Sequence, residues 1–130
     1  MKKLILTVSN LLLLALVLGL TVERAQAQDP VKVDSKHYTV VFENDQVRVL
    51  RIKYGPHEKS VMHYHPDAVA VLLKDAMIKM DLPDGTTADA SGKAGTARWT
   101  PAGKHLPENV GKKPFEVILV ELKSKSGNEK

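Results

Sequence analysis

The stretch MHYHPDAVAVLLKD, Met62 to Asp75, places two histidines one residue apart immediately before an uninterrupted apolar run. On an extended strand, side chains at i and i+2 point to the same face, so the imidazoles of His63 and His65 can converge on one point. The run Ala68 to Lys74 has no alternation and reads as a strand buried on both faces. Taken alone, the pair reads more readily as two half-exposed histidines opening a strand than as a chelate. The rest of the chain has to decide.

Working outward, the texture is that of short strands. HYTVVFE from His37 and QVRVLRIKY from Gln46 are rich in Val, Ile and Tyr and are separated by Asn44-Asp45, a turn signal. In the second run Val47 and Val49 are out of phase with Leu50, Ile52 and Tyr54, which predicts a bulge near Val49-Leu50. Gly55-Pro56 breaks the chain before the histidines. After them, MIKMDL from Met77 runs into Pro83-Asp84-Gly85, a strong turn, and a polar stretch leads to Arg98-Trp99-Thr100. PFEVILVELK, Pro114 to Lys123, predicts the last strand. No stretch beyond the first 27 residues shows a helical period of useful length. Strands punctuated by Gly, Pro and Asp predict an all-β sandwich or barrel.

The chain opens with Lys2-Lys3, an apolar run from Leu4 to Leu20, and Ala25-Gln26-Ala27. A basic start, an apolar middle and a small-x-small end predict a secretory leader over residues 1–27, cleaved after Ala27, with no stable membrane anchor left behind and a periplasmic or extracellular destination. Removing 27 of 130 residues leaves 103, one domain with a modest core. The expected organisation is a flexible arm over 28–36, a barrel over 37–123 and a disordered tail over 124–130. The processed chain carries 16 basic and 14 acidic residues, and it has no basic cluster interleaved with aromatics, which argues against nucleic acid as a partner. The absence of cysteine excludes thiolate chemistry and leaves the fold to core packing or a metal.

A second set of residues lies downstream. GTARWTPAGKHLPEN reads as G-x5-P-x-G-x-H-x3-N, through Gly95, Pro101, Gly103 and His105 to Asn109. With Gly55, His63 and His65, this resembles the two motifs of the cupin family, over about Glu43 to Lys123. The resemblance implies a small single-domain jelly-roll β-barrel holding a metal on His63, His65 and His105. Three departures matter. Seven residues, not five, separate Gly55 from His63; one, not two, separates Gly103 from His105; and the glutamate of the first motif falls on Val69 or Ala70. Three neutral imidazoles without that carboxylate favour a borderline divalent ion, Fe, Zn, Ni or Cu, over Ca or Mg, and leave coordination positions open, as in catalytic sites.

Other residues are candidates for the pocket. Asp67 is nominally on the face of His65, although Pro66 interrupts the strand. Glu108 is placed to orient a histidine or to act as a general base. Asp67 and Glu108 each read more readily as solvated loop carboxylates. Trp99 is expected in the core or against the cavity, and Asn109 beside it. His57 and Glu58 are expected on a surface loop, Met62, Met77 and Met80 in strand packing, and His37 opens the first strand with no partner in sequence. No nucleophile elbow, zinc-protease or P-loop pattern occurs. Three readings follow: a metal-dependent oxygenase or isomerase of a small organic molecule, a module that binds a small ligand without turnover, or a metal-free barrel. A homodimer that covers edge strands is compatible with each.

Overall fold

A computed structural model describes residues 28–124. The leader expected over residues 1–27 and the tail beyond Ser124 lie outside the described residues. A short helix, α1 (Pro30–Val33), precedes nine strands: β1 (Tyr38–Glu43), β2 (Val47–Tyr54), β3 (His63–His65), β4 (Ala68–Leu72), β5 (Ile78–Asp81), β6 (Thr87–Asp89), β7 (Ala97–Thr100), β8 (Gly103–Asn109) and β9 (Phe115–Leu122). They form a five-stranded sheet, β1-β2-β9-β4-β7, and a four-stranded sheet, β3-β8-β5-β6, antiparallel throughout. The all-β jelly-roll expectation is met. No helix of the described residues is long and apolar enough to cross a membrane.

Period-two burial builds the core. Along β2 the even positions Leu50, Ile52 and Tyr54 face inward, and along β9 the odd positions Phe115, Val117 and Leu119 do. Leu50 pairs with Leu119, Ile52 with Val117 and Tyr54 with Phe115, so β2 and β9 present one apolar surface, which Ala68 and Leu72 of β4 extend and which joins Ile78 of the other sheet in the core. Burying each large side chain contributes about 1.5–3 kcal/mol before entropy is counted. The Pro83-Asp84-Gly85 turn closes between β5 and β6 with Gly85 at φ 83°, a conformation glycine adopts without strain, while Asp84 accepts the Thr86 N–H.

Three expectations are corrected. Residues 28–36 are not a loose arm: Asp29 caps α1 by accepting the Val31 N–H at 3.0 Å, Pro30 is buried, and the Gln28 carbonyl accepts the Tyr64 N–H at 3.0 Å. The bulge sits on β1, where Val41 is extra between the pairs Val40–Leu50 and Phe42–Val49, so the phase change read from β2 belongs to its partner strand. β4 is fully buried only at Ala68 and Leu72; Val69 and Val71 are half-buried on the outer face, and the strand ends before Leu73.

Candidate metal centre

β3 pairs with β8 in the register His63–His105 and His65–Gly103. The i, i+2 spacing therefore puts His63 and His65 on one face, and the ladder sets His105 directly across from His63. The ring centroids form a near-equilateral triangle, 4.9 Å from His63 to His65, 5.0 Å from His63 to His105 and 5.2 Å from His65 to His105. One nitrogen from each ring lies within 4.8 Å of the other two.

Two of the rings have their tautomer fixed from behind. His63 Nδ1 donates to the Val61 carbonyl at 2.8 Å, and His65 Nδ1 donates to Glu121 Oε1 at 2.6 Å. Carbonyl and carboxylate oxygens only accept, so each Nδ1 keeps its proton and each Nε2 turns a lone pair into the triangle. His63 Nε2 is fully buried with no partner, alone in this among the buried side-chain nitrogens and oxygens of the described residues. An orphaned buried acceptor costs about 1–3 kcal/mol. Burial, reinforced by the neighbouring imidazoles, pushes the His63 pKa down to about 4 and that of His105 to about 3, so both rings are neutral at ordinary pH, the form that binds metals. The site fits a transition ion by its donor type, its neutral imidazoles and the vacant lone pair.

A carboxylate from another strand supports the histidines from behind. Glu121, 1% exposed, continues the inward series Phe115, Val117, Leu119 on β9 and is in register with Ala68. It stands behind His65, where it orients the ring and fixes its tautomer. Burial pushes its carboxyl pKa up, but the hydrogen bonds from His65 and Arg48 outweigh this and hold it below the usual range. Arg48 Nε donates to Glu121 Oε2 at 2.5 Å, and its Nη1 donates to Asp29 Oδ2 at 2.7 Å. The chain Asp29–Arg48–Glu121–His65 thus runs from the N-terminal segment into the site.

A parallel support reaches His63. Ser60 Oγ donates to Asp34 Oδ2 at 2.5 Å and lies 3.4 Å from His63 Nδ1, while the buried Tyr38 ring packs edge-on against His63 at 4.8 Å. Asp34 also accepts from His37, whose other nitrogen meets Glu58 at 3.0 Å and whose ring stacks on Tyr54 at 4.1 Å. His37 therefore has partners, though none was visible in the sequence, and the part-buried Glu58 also caps the Gly55 N–H.

Four candidates are placed elsewhere. Glu108 lies on the face of β8 opposite His105 and meets Lys79 Nζ at 3.0 Å, so it is not a base for this site. Asp67 is exposed and accepts the Ala102 N–H at 2.7 Å, bracing a loop. Trp99 is 55% exposed on the outer face of β7, in neither core nor cavity. Asn109 is fully buried, but it ties Gly55 and Lys113 carbonyls to its amide and accepts the Gly111 N–H, closing the barrel end rather than lining the pocket.

His65 and His105 form one end of a cavity of about 80 Å³ whose walls include Ile52, Leu72, Ile78, Met80, Phe115 and Val117. Drug-sized ligand sites start near about 300 Å³, so this one admits only a few non-hydrogen atoms without rearrangement. Arg98 stands at its side, with its guanidinium held by the Ala90 and Ser91 carbonyls.

No family model matches the sequence, and no curated protein matches it. Solved structures do. A cupin domain from Bordetella pertussis is 24% identical over 67% of this chain and 92% of its own, with a TM-score of 0.62. An RmlC-like cupin with a double-stranded β-helix fold from Methanocaldococcus jannaschii is 20% identical over 68% of this chain and 83% of its own, with a TM-score of 0.54. A polyketide cyclase from Streptomyces resistomycificus is 16% identical over 69% of this chain and 66% of its own, with a TM-score of 0.52. With its two antiparallel sheets and these neighbours, the chain has the fold of the cupins, the double-stranded β-helix.

Proposed function

We propose that the protein is an exported metalloprotein that holds a divalent transition ion (iron, zinc, nickel or copper) on His63, His65 and His105 and, where that ion is iron or copper, uses it with dioxygen as the oxidant to oxidise a small organic molecule. The observation that carries this reading is the buried, partnerless Nε2 of His63 within a triangle of three imidazoles. A bound ion of this kind supplies a Lewis acid and, for iron or copper, a redox couple. The chain's own residues do the rest. Glu121 keeps the proton on His65 Nδ1, Val61 does the same for His63, and the aliphatic walls keep water from the cavity end of the site.

Oxidation is preferred to isomerisation because no carboxylate lines the cavity among the described residues, and moving a proton between carbons needs a base within hydrogen-bond reach. The apolar lining also favours a second reading, retention of a small apolar ligand without turnover. Export rests on the leader pattern of residues 1–27.

The test is elemental analysis of untagged protein beside a variant with all three histidines changed to alanine. One equivalent of a transition metal, lost in the variant, supports the site, and oxygen uptake with small organic substrates then separates oxidation from retention. Absence of metal in the wild type after reconstitution with iron, zinc, nickel and copper overturns the proposal.

A further inference from the structure

The loops that join β4 to β5, β6 to β7 and β8 to β9 meet at one end of the barrel. Between them lies a cleft of about 680 Å³, inside the range of about 300–1,000 Å³ typical of small-molecule sites. It shares no lining residue with the cavity behind the histidines. Its floor is apolar, from Ala76, Met77 and Val110, and its rim is basic, from Lys93, Lys112 and Lys113. Met77 is 59% exposed there and Val110 41%. We propose that this cleft binds a small amphipathic anion, with its acid group on Lys112 and Lys113 and its apolar body across Met77 and Val110.

The rim selects the charge. Asp75 is the one carboxylate that lines the cleft, and it is already engaged, accepting from Lys93 Nζ and from the Ala94 N–H, each at 2.9 Å. Lys112 and Lys113 are exposed and meet no carboxylate within hydrogen-bond or ion-pair reach among the described residues. Neighbouring ammonium groups without a counter-charge raise the local concentration of anions. The floor selects the tail. A bare inorganic anion would leave Met77 and Val110 in water, whereas an apolar body removes their surface from it. No aromatic side chain lines the cleft, so a flat base or ring has no stacking platform.

The three loops are fixed to one another before any ligand arrives. Ala76 and Gly92 exchange backbone hydrogen bonds at 2.9 and 3.0 Å, and the Val110 N–H donates to the Met77 carbonyl at 3.0 Å. Fully buried Asn109 donates to the Lys113 carbonyl at 2.9 Å and accepts the Gly111 N–H at 3.0 Å, which holds the chain on both sides of Lys112. A Cβ at Gly111 would come within 3.2 Å of Met77 Cβ and 3.3 Å of Asn109 Oδ1, so glycine is what lets the lysine loop close against Met77. These backbone groups satisfy one another, and what faces the cleft is methionine, valine and lysine side chains. A site ordered in advance loses less entropy on binding.

The methionines are ready reporters. Met77 lines the cleft, Met80 lines the inner cavity and Met62 lines neither. With isotope-labelled methionine methyl groups followed by NMR, octanoate is expected to shift the Met77 signal saturably and leave Met62 and Met80 unmoved. Acetate carries the charge without the tail and octanol the tail without the charge; each is expected to bind at least about ten-fold more weakly. Joint Lys112→Glu and Lys113→Glu substitution is expected to weaken octanoate binding by about ten-fold or more, with unmoved Met62 and Met80 signals reporting an intact fold. No saturable Met77 shift below about 10 mM octanoate overturns the proposal. Equal affinity for acetate or octanol, or undiminished binding by the lysine variant, does the same. A saturable shift at Met80 in place of Met77 puts the ligand in the inner cavity and also overturns it. Vesicles of phosphatidylglycerol separate a free anion from a membrane: co-sedimentation with them, without saturable octanoate binding, gives this end of the barrel to a bilayer and overturns the cleft.

Discussion

His63 and His65 sit two residues apart on the same strand and turn the same nitrogen toward the same point, yet they are held in different ways. His63 is fastened locally, by the carbonyl of Val61 two residues before it. His65 is fastened across the barrel, by Glu121 from the other sheet, which is held by Arg48, which is held by Asp29. A backbone carbonyl cannot be mutated away and carries no charge. The carboxylate can be removed, and its charge strengthens the ligand it touches. One support follows from the fold of a short loop, and the other exists only once two sheets and the N-terminal segment have come together.

The largest effect is therefore expected at the charged support. Glu121→Ala leaves the buried His65 N–H without its acceptor and the part-buried Arg48 guanidinium with Asp29 alone, and should cost about 3 kcal/mol in urea unfolding of the metal-free protein. Glu121→Gln keeps an oxygen for His65 and should cost less stability. It should still lower metal affinity about 10- to 100-fold, read by competition with a chelating dye. An affinity unchanged in Glu121→Gln would mean the charge behind His65 is irrelevant to the site.

Acid should weaken the metal-free protein through the histidines themselves. The folded pKa of His63, about 4, lies below its ordinary value of 6.5, so between these the unfolded chain binds the proton first. The resulting stability is complete above about pH 6.5 and is lost as pH falls toward 4, by up to about 3 kcal/mol for this ring. His105 acts in the same direction down to about 3. In a variant with His63 changed to leucine, the slope of unfolding free energy against pH in this window should become shallower. An unchanged slope would show that His63 is not buried and neutral.

The smallest effects are expected at the two carboxylates that stood near the histidines in the sequence. Glu108→Gln and Asp67→Asn should leave metal content unchanged and shift stability by no more than about 1 kcal/mol, since both are exposed or part-exposed and bonded away from the site. Loss of metal in Glu108→Gln would contradict its placement on the outer face of β8.

What was legible in the sequence was local. Strand periodicity located β1, β2, β4, β5 and β9 but not the seven-residue β8, whose glycine and proline hid it, and the H-x-H spacing with the downstream Gly-x-His pointed to the three histidines. The supports were not legible because they are long-range: Glu121 is 56 residues from His65, and Ser60 is 26 from Asp34. A signal for Glu121 was present nonetheless. In FEVILVEL it falls on the inward series that begins at Phe115, and a carboxylate on the core side of a central strand needs a buried partner. Trp99 was misplaced because its size suggested burial, whereas the register of β7 turns it outward beside Val69. Residues 28–36 looked too polar to pack, but their carboxylates are what join them to Arg48 and Ser60.

The central claim is that three imidazoles, one of them with an otherwise orphaned nitrogen, form one metal site. Titration of the metal-free protein with Co²⁺, followed by its visible absorption, tests this most directly. Saturation is expected at one equivalent, with ligand-field bands that change when His65 is replaced and disappear when His63 or His105 is replaced by alanine. Bands that survive unchanged in His63→Ala, or no saturable binding in the wild type, would contradict it.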